Sequence, residues 1–372
     1  MKQPIKVLLV STGSSSGMVP FVASIVNTLS QSKNFEVYTI LMVGKTNPYL
    51  TSLNSLDNVT FLNHPQDAFN KFLYKFWPLS LIREINAITK NHGAKIVHLL
   101  TNDELLSSYV RYTYKKFEYV FTIHDLVNHE TDMKRPLKEK LLRSYWKTLR
   151  KRMLPCINNY TTSSLEQYNN FKQSNIGKSI TYTHFPTLVT NEMVNGNDEV
   201  EELKGMYDYI LFFGFVDKYK GVNTLIEAFE TAKLTDSAHL VIAGKGINYP
   251  CKSNNIIRIN RFIKNTEIKD LFAKARVVVY PYSSITMSGV QSIASYFNKK
   301  TILSDLPYFR EHADDNTQFF PANDTKKLTI LLENEYKNPL IVVRSNYDSI
   351  FSDKTLAEDY YRLYSSINLY RI

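Results

Sequence analysis

Short apolar runs rich in β-branched residues alternate with helical patterns from one end of the chain to the other, and this alternation constrains the fold more than any other feature. In the first half the runs are Ile5–Val10, Phe35–Val43, Val59–Leu62, Lys95–Leu99, Tyr119–Ile123, Asn159–Thr162 and Ile180–Thr183, with helical patterns at Val19–Leu29, Ala68–Thr89 and Leu137–Met153. A second series follows at Tyr209–Phe213, His239–Ala243, Ile256–Ile259, Arg276–Tyr280, Lys300–Leu303 and Gln318–Phe320, with helices at Val222–Thr231, Thr266–Ala275, Val290–Phe297 and Thr325–Glu333. Continuously apolar strands separated by helices predict parallel sheets covered on both faces. At 372 residues the chain suits two domains. Between the two series, Pro186–Gly205 is polar, holds two glycines and lacks periodicity, so it reads as a linker.

The expectation is an α/β protein of two doubly wound Rossmann-like domains, 1–186 and 206–352, joined through 187–205 and facing across a cleft. Ligands of such folds bind beyond the carboxyl ends of the strands, which would put the site in that cleft. Leu356, Tyr360, Leu363 and Tyr364 recur at helical spacing, and 353–372 is expected to form a helix that packs back on the first domain.

Composition narrows the function classes. With 44% hydrophobic and 22% charged residues the chain is globular, and no apolar run approaches the ~18 residues of a membrane helix. The opening MKQPIKVLLVSTGSSSG has too short an apolar core for a signal peptide and reads better as a buried strand. Cys156 and Cys251 lack metal-type spacing and read as core thiols in a reducing compartment, so a cytoplasmic protein is expected. The formal charge of +10 suits phosphorylated ligands or an anionic membrane. Neither zinc-finger spacing nor an RNA-recognition aromatic motif is present, which argues against nucleic acid.

Two strand-to-helix turns could carry chemistry. In Ile210–Phe229, ILFFGFVDKYKGVNTLIEAF, Gly214 ends a strand, Lys220 precedes Gly221, and a helix follows. In Val277–Asp305 a buried strand runs into Ser283, Ser284, Thr286, Ser288 and Gly289, and then a helix. Small residues let a diphosphate approach the backbone, and the N–H groups of Ser288, Gly289 and Val290 form a candidate anion nest beside Lys218 and Lys220. The plainer readings, a turn glycine with a solvated lysine and a Ser-capped helix, fit each loop taken singly.

Taken together, these segments resemble the nucleotide-binding domain of retaining GT-B glycosyltransferases of the large family four, the glycosyl transferases group 1. FFGFVDKYKGVNTLIEAF is similar to the family's strand–Gly–lysine–Gly–helix motif, HLVIAGKG to its next strand and glycine turn, and IKDLFAKARVVVYPYSS to the helix and strand that lead into the donor loop. SGVQSIASYFNKKTILSD resembles the donor loop, its helix and the strand beyond, in the subset with a Ser-Gly-Val loop. In the first half, Thr122–Asp125 (TIHD) resembles the strand-end histidine and Thr183–Pro186 the domain-closing His-x-Pro segment. The resemblance implies that Gly17, Gly214, Lys218, Lys220, Arg261, Phe262, Thr286, Ser288, Gly289 and Val290 bind the donor. It implies that His124 and Lys220 are catalytic and that Asp125, His129 and Glu130 face the acceptor. The family's two glutamates, with seven residues between them, fall here on Thr286 and Ala294, and its usual arginine falls on Phe215.

The implied reaction moves a sugar, with retention, from a nucleotide diphosphate-sugar to a glycan or lipid-linked glycan in cell-surface polysaccharide synthesis of capsule, exopolysaccharide or O-antigen type. The donor is expected to be UDP- or GDP-linked and to be a substrate, with no cofactor. The chain has no Asp-x-Asp and no His-Glu-x-x-His, so metal-independent chemistry is expected, with lysines and backbone N–H groups meeting the charge on the departing phosphate. The substituted glutamates keep a second hypothesis open: a degenerate transferase that acts as a scaffold in a glycan-assembly complex. A third is a GT-B epimerase of sugar nucleotides.

One more segment stands out. Lys134–Arg152 holds nine basic residues against Glu139, with an apolar stripe through Leu137, Leu141, Tyr145, Trp146, Leu149 and Met153. The stripe is expected to pack on the domain's own sheet, and the charges to allow transient contact with the inner face of an anionic membrane.

Overall fold

The computed structural model describes residues 3–13, 18–42, 48–65, 67–74, 76–124, 137–175, 177–338 and 342–367. The chain divides into two compact units, Met1–Pro186 with Asp353–Ile372, and Thr187–Ser352.

The first unit runs β1 (Ile5–Ser11), α1 (Met18–Gln31), β2 (Phe35–Leu41), β3 (Val59–Phe61), α2 (Ala68–Tyr74), α3 (Leu79–His92), β4 (Ile96–Leu99), α4 (Ser107–Thr113), β5 (Glu118–Thr122), α5 (Leu137–Met153), β6 (Asn159–Thr162), α6 (Leu165–Ser174) and β7 (Ser179–Tyr182). Its seven strands pair in parallel in the order β3-β2-β1-β4-β5-β6-β7. Strand β1 is buried without interruption from Val7 to Ser11, as expected of a strand covered on both faces. The single helical pattern expected over Ala68–Thr89 is two helices, because Pro78 has no amide to continue a ladder and restricts Trp77 before it.

The second unit runs α7 (Asn191–Asn195), β8 (Tyr209–Phe213), α8 (Val222–Thr231), β9 (Leu240–Ala243), β10 (Ile256–Ile259), α9 (Ile268–Ala273), β11 (Ala275–Tyr280), α10 (Val290–Tyr296), β12 (Lys300–Ser304), α11 (Pro307–Glu311), β13 (Thr317–Phe320), α12 (Thr325–Lys337) and α13 (Tyr347–Ile350). Its six parallel strands take the order β10-β9-β8-β11-β12-β13. The stretch 187–205, read as a linker, packs within this unit. Thr190 caps α7, and Met193, Val200 and Leu203 are fully buried.

The last helix, α14 (Asp353–Ser365), belongs to the first unit. Its Tyr364 hydroxyl bonds His98 Nδ1 at 2.7 Å, and His98 Nε2 meets Thr122 Oγ1 at 2.8 Å. Complete burial pulls the His98 pKa down to about 3, with His124 adding a smaller effect, so the ring is a neutral spacer. Asp359 accepts from the His184 backbone N–H at 2.8 Å and from its ring Nδ1 at 2.7 Å. The His-Phe-Pro segment is thereby tied to α14. The core-thiol reading fails for Cys251, which is exposed, while Cys156 is half-buried. Among the described residues no helix is long and apolar enough to cross a membrane.

Candidate functional site

In doubly wound sheets the strand order reverses at one point, and the loops leaving the two strands there diverge to open a crevice. In the second unit that point lies between β8 and β11. The chain leaves β8 through Gly214, at φ +131°, and turns through Lys218–Lys220, where Asp217 accepts from the Lys218 amide at 2.6 Å. Gly221 then adopts φ +63°, and a Cβ there would lie 1.8 Å from the Pro281 carbonyl oxygen. Only glycine lets this turn press on the chain leaving β11.

That close approach seats Lys220 against Tyr282. Its Nζ donates to the Tyr282 hydroxyl at 2.6 Å and stands 3.9 Å from the Tyr282 ring centroid and 4.9 Å from that of Tyr219. Lys220 is only 8% exposed, and among the described residues it makes no ion pair. Burial pulls its pKa down to about 7, opposed weakly by Asp217. An ammonium carries three N–H donors, and a buried one lacking a counter-ion is costly unless an anion arrives. Lys218, two residues earlier, is exposed.

The loop Ser283–Gly289 is held from behind. Ser283 donates to the Tyr219 carbonyl through its amide at 2.8 Å and its hydroxyl at 3.2 Å. The Ser288 carbonyl accepts from the Tyr308 hydroxyl at 3.2 Å, and the Gly289 carbonyl from the Ser292 hydroxyl at 2.7 Å. Both donors are buried, so these carbonyls point into the unit. No peptide bond is cis, and in a trans peptide the N–H opposes its C=O. The N–H groups of Gly289 and Val290 therefore point away from the Tyr308 and Ser292 hydroxyls, at the start of α10 where a helix leaves its amides free.

The structure separates the other expected donor residues. Thr286 sits half-buried in the loop, but Ala294 is fully buried inside α10, where a glutamate would have its carboxylate in the core. Phe262 is half-exposed just beyond β10. The Arg261 side chain grips Glu202 at 2.8 and 2.9 Å and Glu267 twice at 2.8 Å, both edges of the guanidinium being engaged in a fork within the unit. Those carboxylates hold its pKa above the ordinary arginine value. Gln291, absent from the sequence reading, is buried on α10 with Nε2 on the Phe309 carbonyl and Oε1 without a partner among the described residues.

In the first unit the reversal lies between β1 and β4. Asp103 occupies it in the left-handed region, at φ +42°, and accepts from the amides of Thr12 and Thr101 at 2.6 and 2.9 Å and from both hydroxyls at 2.7 Å. Burial pushes its carboxyl up, and these four bonds oppose the shift. Thr101 also accepts from the Gly13 amide at 3.2 Å. The β1–α1 turn is thus latched to the end of β4. Beside the latch lies a concavity of about 420 Å³ lined by Asn102, Glu104, His124 and Trp146 among others.

His124 stands at the end of β5, with Nε2 2.7 Å from the Leu100 carbonyl and its ring edge-on to Phe21. A carbonyl only accepts, so Nε2 carries the proton. Gly17, Asp125, His129 and Glu130 lie outside the described residues. Asp103 and Asn102 were not singled out in the sequence, and Trp146 was read there only as part of the α5 stripe. The signal for the first two was the polar run Thr101–Glu104 directly after an apolar strand, which gains meaning only once strand order places it at the reversal.

The expected packing of the α5 stripe holds at one end. Met153 is fully buried, whereas Leu141 is 63% exposed. Arg150 bridges Glu104 at 3.0 Å and the Ser107 hydroxyl donates to the Leu149 carbonyl, which fixes the last turns. Among the described residues no three His, Cys, Asp or Glu side chains gather as a metal site would require.

Residues 207–336, within the second unit, match the family model described as Glycosyl transferases group 1. No curated protein matches the chain in sequence. Among solved structures, the chain is similar to Anabaena Alr3699/HepE in complex with UDP and glucose, at 12% identity and TM-score 0.68 over 98% of this chain and 100% of that one. It is also similar to sucrose-phosphate synthase from Thermosynechococcus elongatus, at 14% identity and TM-score 0.61 over 97% and 94% of the two chains. A third is UDP-GlcNAc 2-epimerase from Methanocaldococcus jannaschii, at 12% identity and TM-score 0.60 over 97% and 100%. The chain therefore has two Rossmann-like domains of the GT-B type, the second carrying the pattern of the group 1 glycosyl transferases.

Proposed function

We propose that the protein is a retaining, metal-independent glycosyltransferase. It takes a sugar from a nucleotide diphosphate donor, UDP-linked first and GDP-linked second, and passes it to a glycan or lipid-linked glycan of a cell-surface polysaccharide. The observation that carries this reading is Lys220, a buried lysine without a counter-ion among the described residues, seated at a sheet reversal beside the Ser288–Val290 helix start. A nucleotide diphosphate supplies the missing charge. As the bond to the sugar breaks, negative charge grows on the departing phosphate. Lys220, Lys218 and the N–H groups of Ser288, Gly289 and Val290 would stabilise it, and preorganised donors of this kind are the strongest tool available. The solved HepE complexes with UDP and UDP-glucose support a uridine donor.

On this reading the concavity beside Asp103 receives the acceptor. Its Trp146 ring, Asn102 amide and Glu104 carboxylate are the groups that stack on and hydrogen-bond a sugar, and His124 orients the incoming hydroxyl. The protein would work in the cytoplasm, with the basic helix α5 touching the inner face of an anionic membrane. The buried Ala294 and the committed Arg261 keep the scaffold reading as the alternative.

The test is nucleotide release from UDP- and GDP-sugars in the presence of a chelator, with and without simple glycan acceptors. Release that needs no metal and is lost in Lys220→Met supports the transferase. Neither binding nor turnover of any donor favours the scaffold, and a new sugar nucleotide formed without acceptor favours an epimerase.

A further inference from the structure

We infer that the first unit carries an aromatic membrane anchor, built from α2 and the turn before α3, which inserts into an anionic bilayer. Phe69, Phe72 and Phe76 recur at spacings of three and four and so share one side of α2 and its continuation. The opposite side packs inward, where the Tyr74 hydroxyl meets Met42 Sδ at 3.7 Å. Phe69 is 69% exposed, Trp77 65% and Leu79 61%. The rings form one surface: Phe72 to Phe76 at 5.1 Å, Phe76 to Trp77 at 6.2 Å, and Phe76 to Tyr145 of α5 at 5.4 Å. Exposed Leu141 extends it along α5.

Adjoining exposed aromatic rings left open to water mark a docking site. Charge identifies what covers it. From Lys140 to Met153 the chain holds Lys140, Arg143, Lys147, Arg150, Lys151 and Arg152 and no acid, and Lys140, Lys147 and Lys151 are exposed. Protein interfaces are depleted in lysine. Tryptophan and phenylalanine flanked by lysine suit a bilayer interface, where rings enter the acyl boundary and ammonium groups meet lipid phosphates. Basic residues on α5 supply the long-range attraction, and Phe69, Phe72, Trp77 and Leu79 supply the insertion.

The chain has two tryptophans, so in Trp146→Phe the emission reports Trp77 alone. That protein is mixed with vesicles of phosphatidylcholine, either pure or containing phosphatidylglycerol, and with vesicles bearing brominated acyl chains. The expected result is a blue shift and bromine quenching on phosphatidylglycerol vesicles, at least about tenfold tighter binding than to neutral ones, and weakening with salt. Phe72→Ser/Trp77→Ser in the otherwise unchanged chain should lower vesicle binding about tenfold with an unaltered melting temperature. Lys140→Glu/Lys147→Glu should lower it by a similar factor at low salt. Three outcomes overturn the inference: no shift or quenching on anionic vesicles, binding lost only in the lysine variant, or a self-association abolished by Phe72→Ser/Trp77→Ser without any vesicle binding, which would assign the patch to a second copy of the chain. None of these outcomes bears on donor binding by the second unit, which is measured without lipid.

Discussion

The two sheets share one winding rule and fill their reversal points with opposite charges. In the first unit a buried carboxylate, Asp103, receives four hydrogen bonds from its own chain. In the second a buried ammonium, Lys220, has one hydrogen bond and two aromatic rings. The acid is satisfied from within and shapes a loop. The cation has no counter-ion among the described residues, and on the proposed function the donor diphosphate would supply one. Burial alone therefore does not mark a binding group; burial with unfilled hydrogen-bonding capacity does.

The largest effect expected from this contrast is on donor chemistry. Lys220→Met should lower turnover by about 10²–10³-fold, the usual loss when one charge-stabilising donor is removed, without lowering the melting temperature of the unliganded protein. A destabilised variant would make Lys220 a structural residue like Asp103. Asp103→Asn should do the reverse. Its amide N–H₂ would face hydrogen-bond donors, costing about 2–4 kcal/mol by denaturant unfolding, while the second unit still binds the donor. Unchanged stability would dissolve the latch.

The pH dependences sharpen the same comparison. The folded pKa of Lys220 lies near 7, below its ordinary 10.5. Between these values the unfolded chain holds more protons, so this group makes stability rise with pH across that window. Lys220→Met should flatten the rise in pH-dependent melting. Asp103 is raised, so its cost appears as pH climbs through the ordinary carboxylate range. Asp359, where the His184 and Arg362 contacts outweigh the opposing effect of burial, is lowered. Its contribution is present above the ordinary carboxylate range and fades as pH falls through its folded value. Asp359→Ala should cost about 2–3 kcal/mol, seen as a lower melting temperature with donor affinity intact.

The smallest effect belongs to Arg261. Because its fork is one-third exposed and screened, Arg261→Gln should cost about 1 kcal/mol of stability and change donor affinity less than about twofold. A large loss of affinity would return Arg261 to the donor site.

What the sequence told plainly was whatever has a local cause. The strands were legible from apolar runs, and Gly214, Gly221 and Lys220 from a strand-to-helix turn that needs left-handed backbone. Pro78 announced a helix break that the apolar periodicity through Phe72–Ile88 concealed. What escaped depends on distant partners. Tyr282 meets Lys220 from 62 residues away, and Glu202 pairs with the Arg261 side chain from 59 residues away. Asp103 became notable only because β4 pairs with β1, a neighbourhood that strand spacing does not encode. Exposure of Cys251 and of Leu141 on α5 likewise follows from packing, which periodicity predicts for a stripe as a whole and not for each turn.

The most direct test is a calorimetric titration of the wild type and Lys220→Met with the UDP- or GDP-sugar that binds best, at pH 6.5 and 8.5, with chelator and in two buffers of different ionisation enthalpy. A diphosphate diester keeps its charge across this range, so the titrating partner is the protein. The account predicts wild-type affinity about tenfold or more weaker at the higher pH, with close to one proton taken up there. It predicts weak, pH-independent binding without proton uptake in Lys220→Met. Donor binding of equal strength in both proteins, or no donor binding in either, would contradict it.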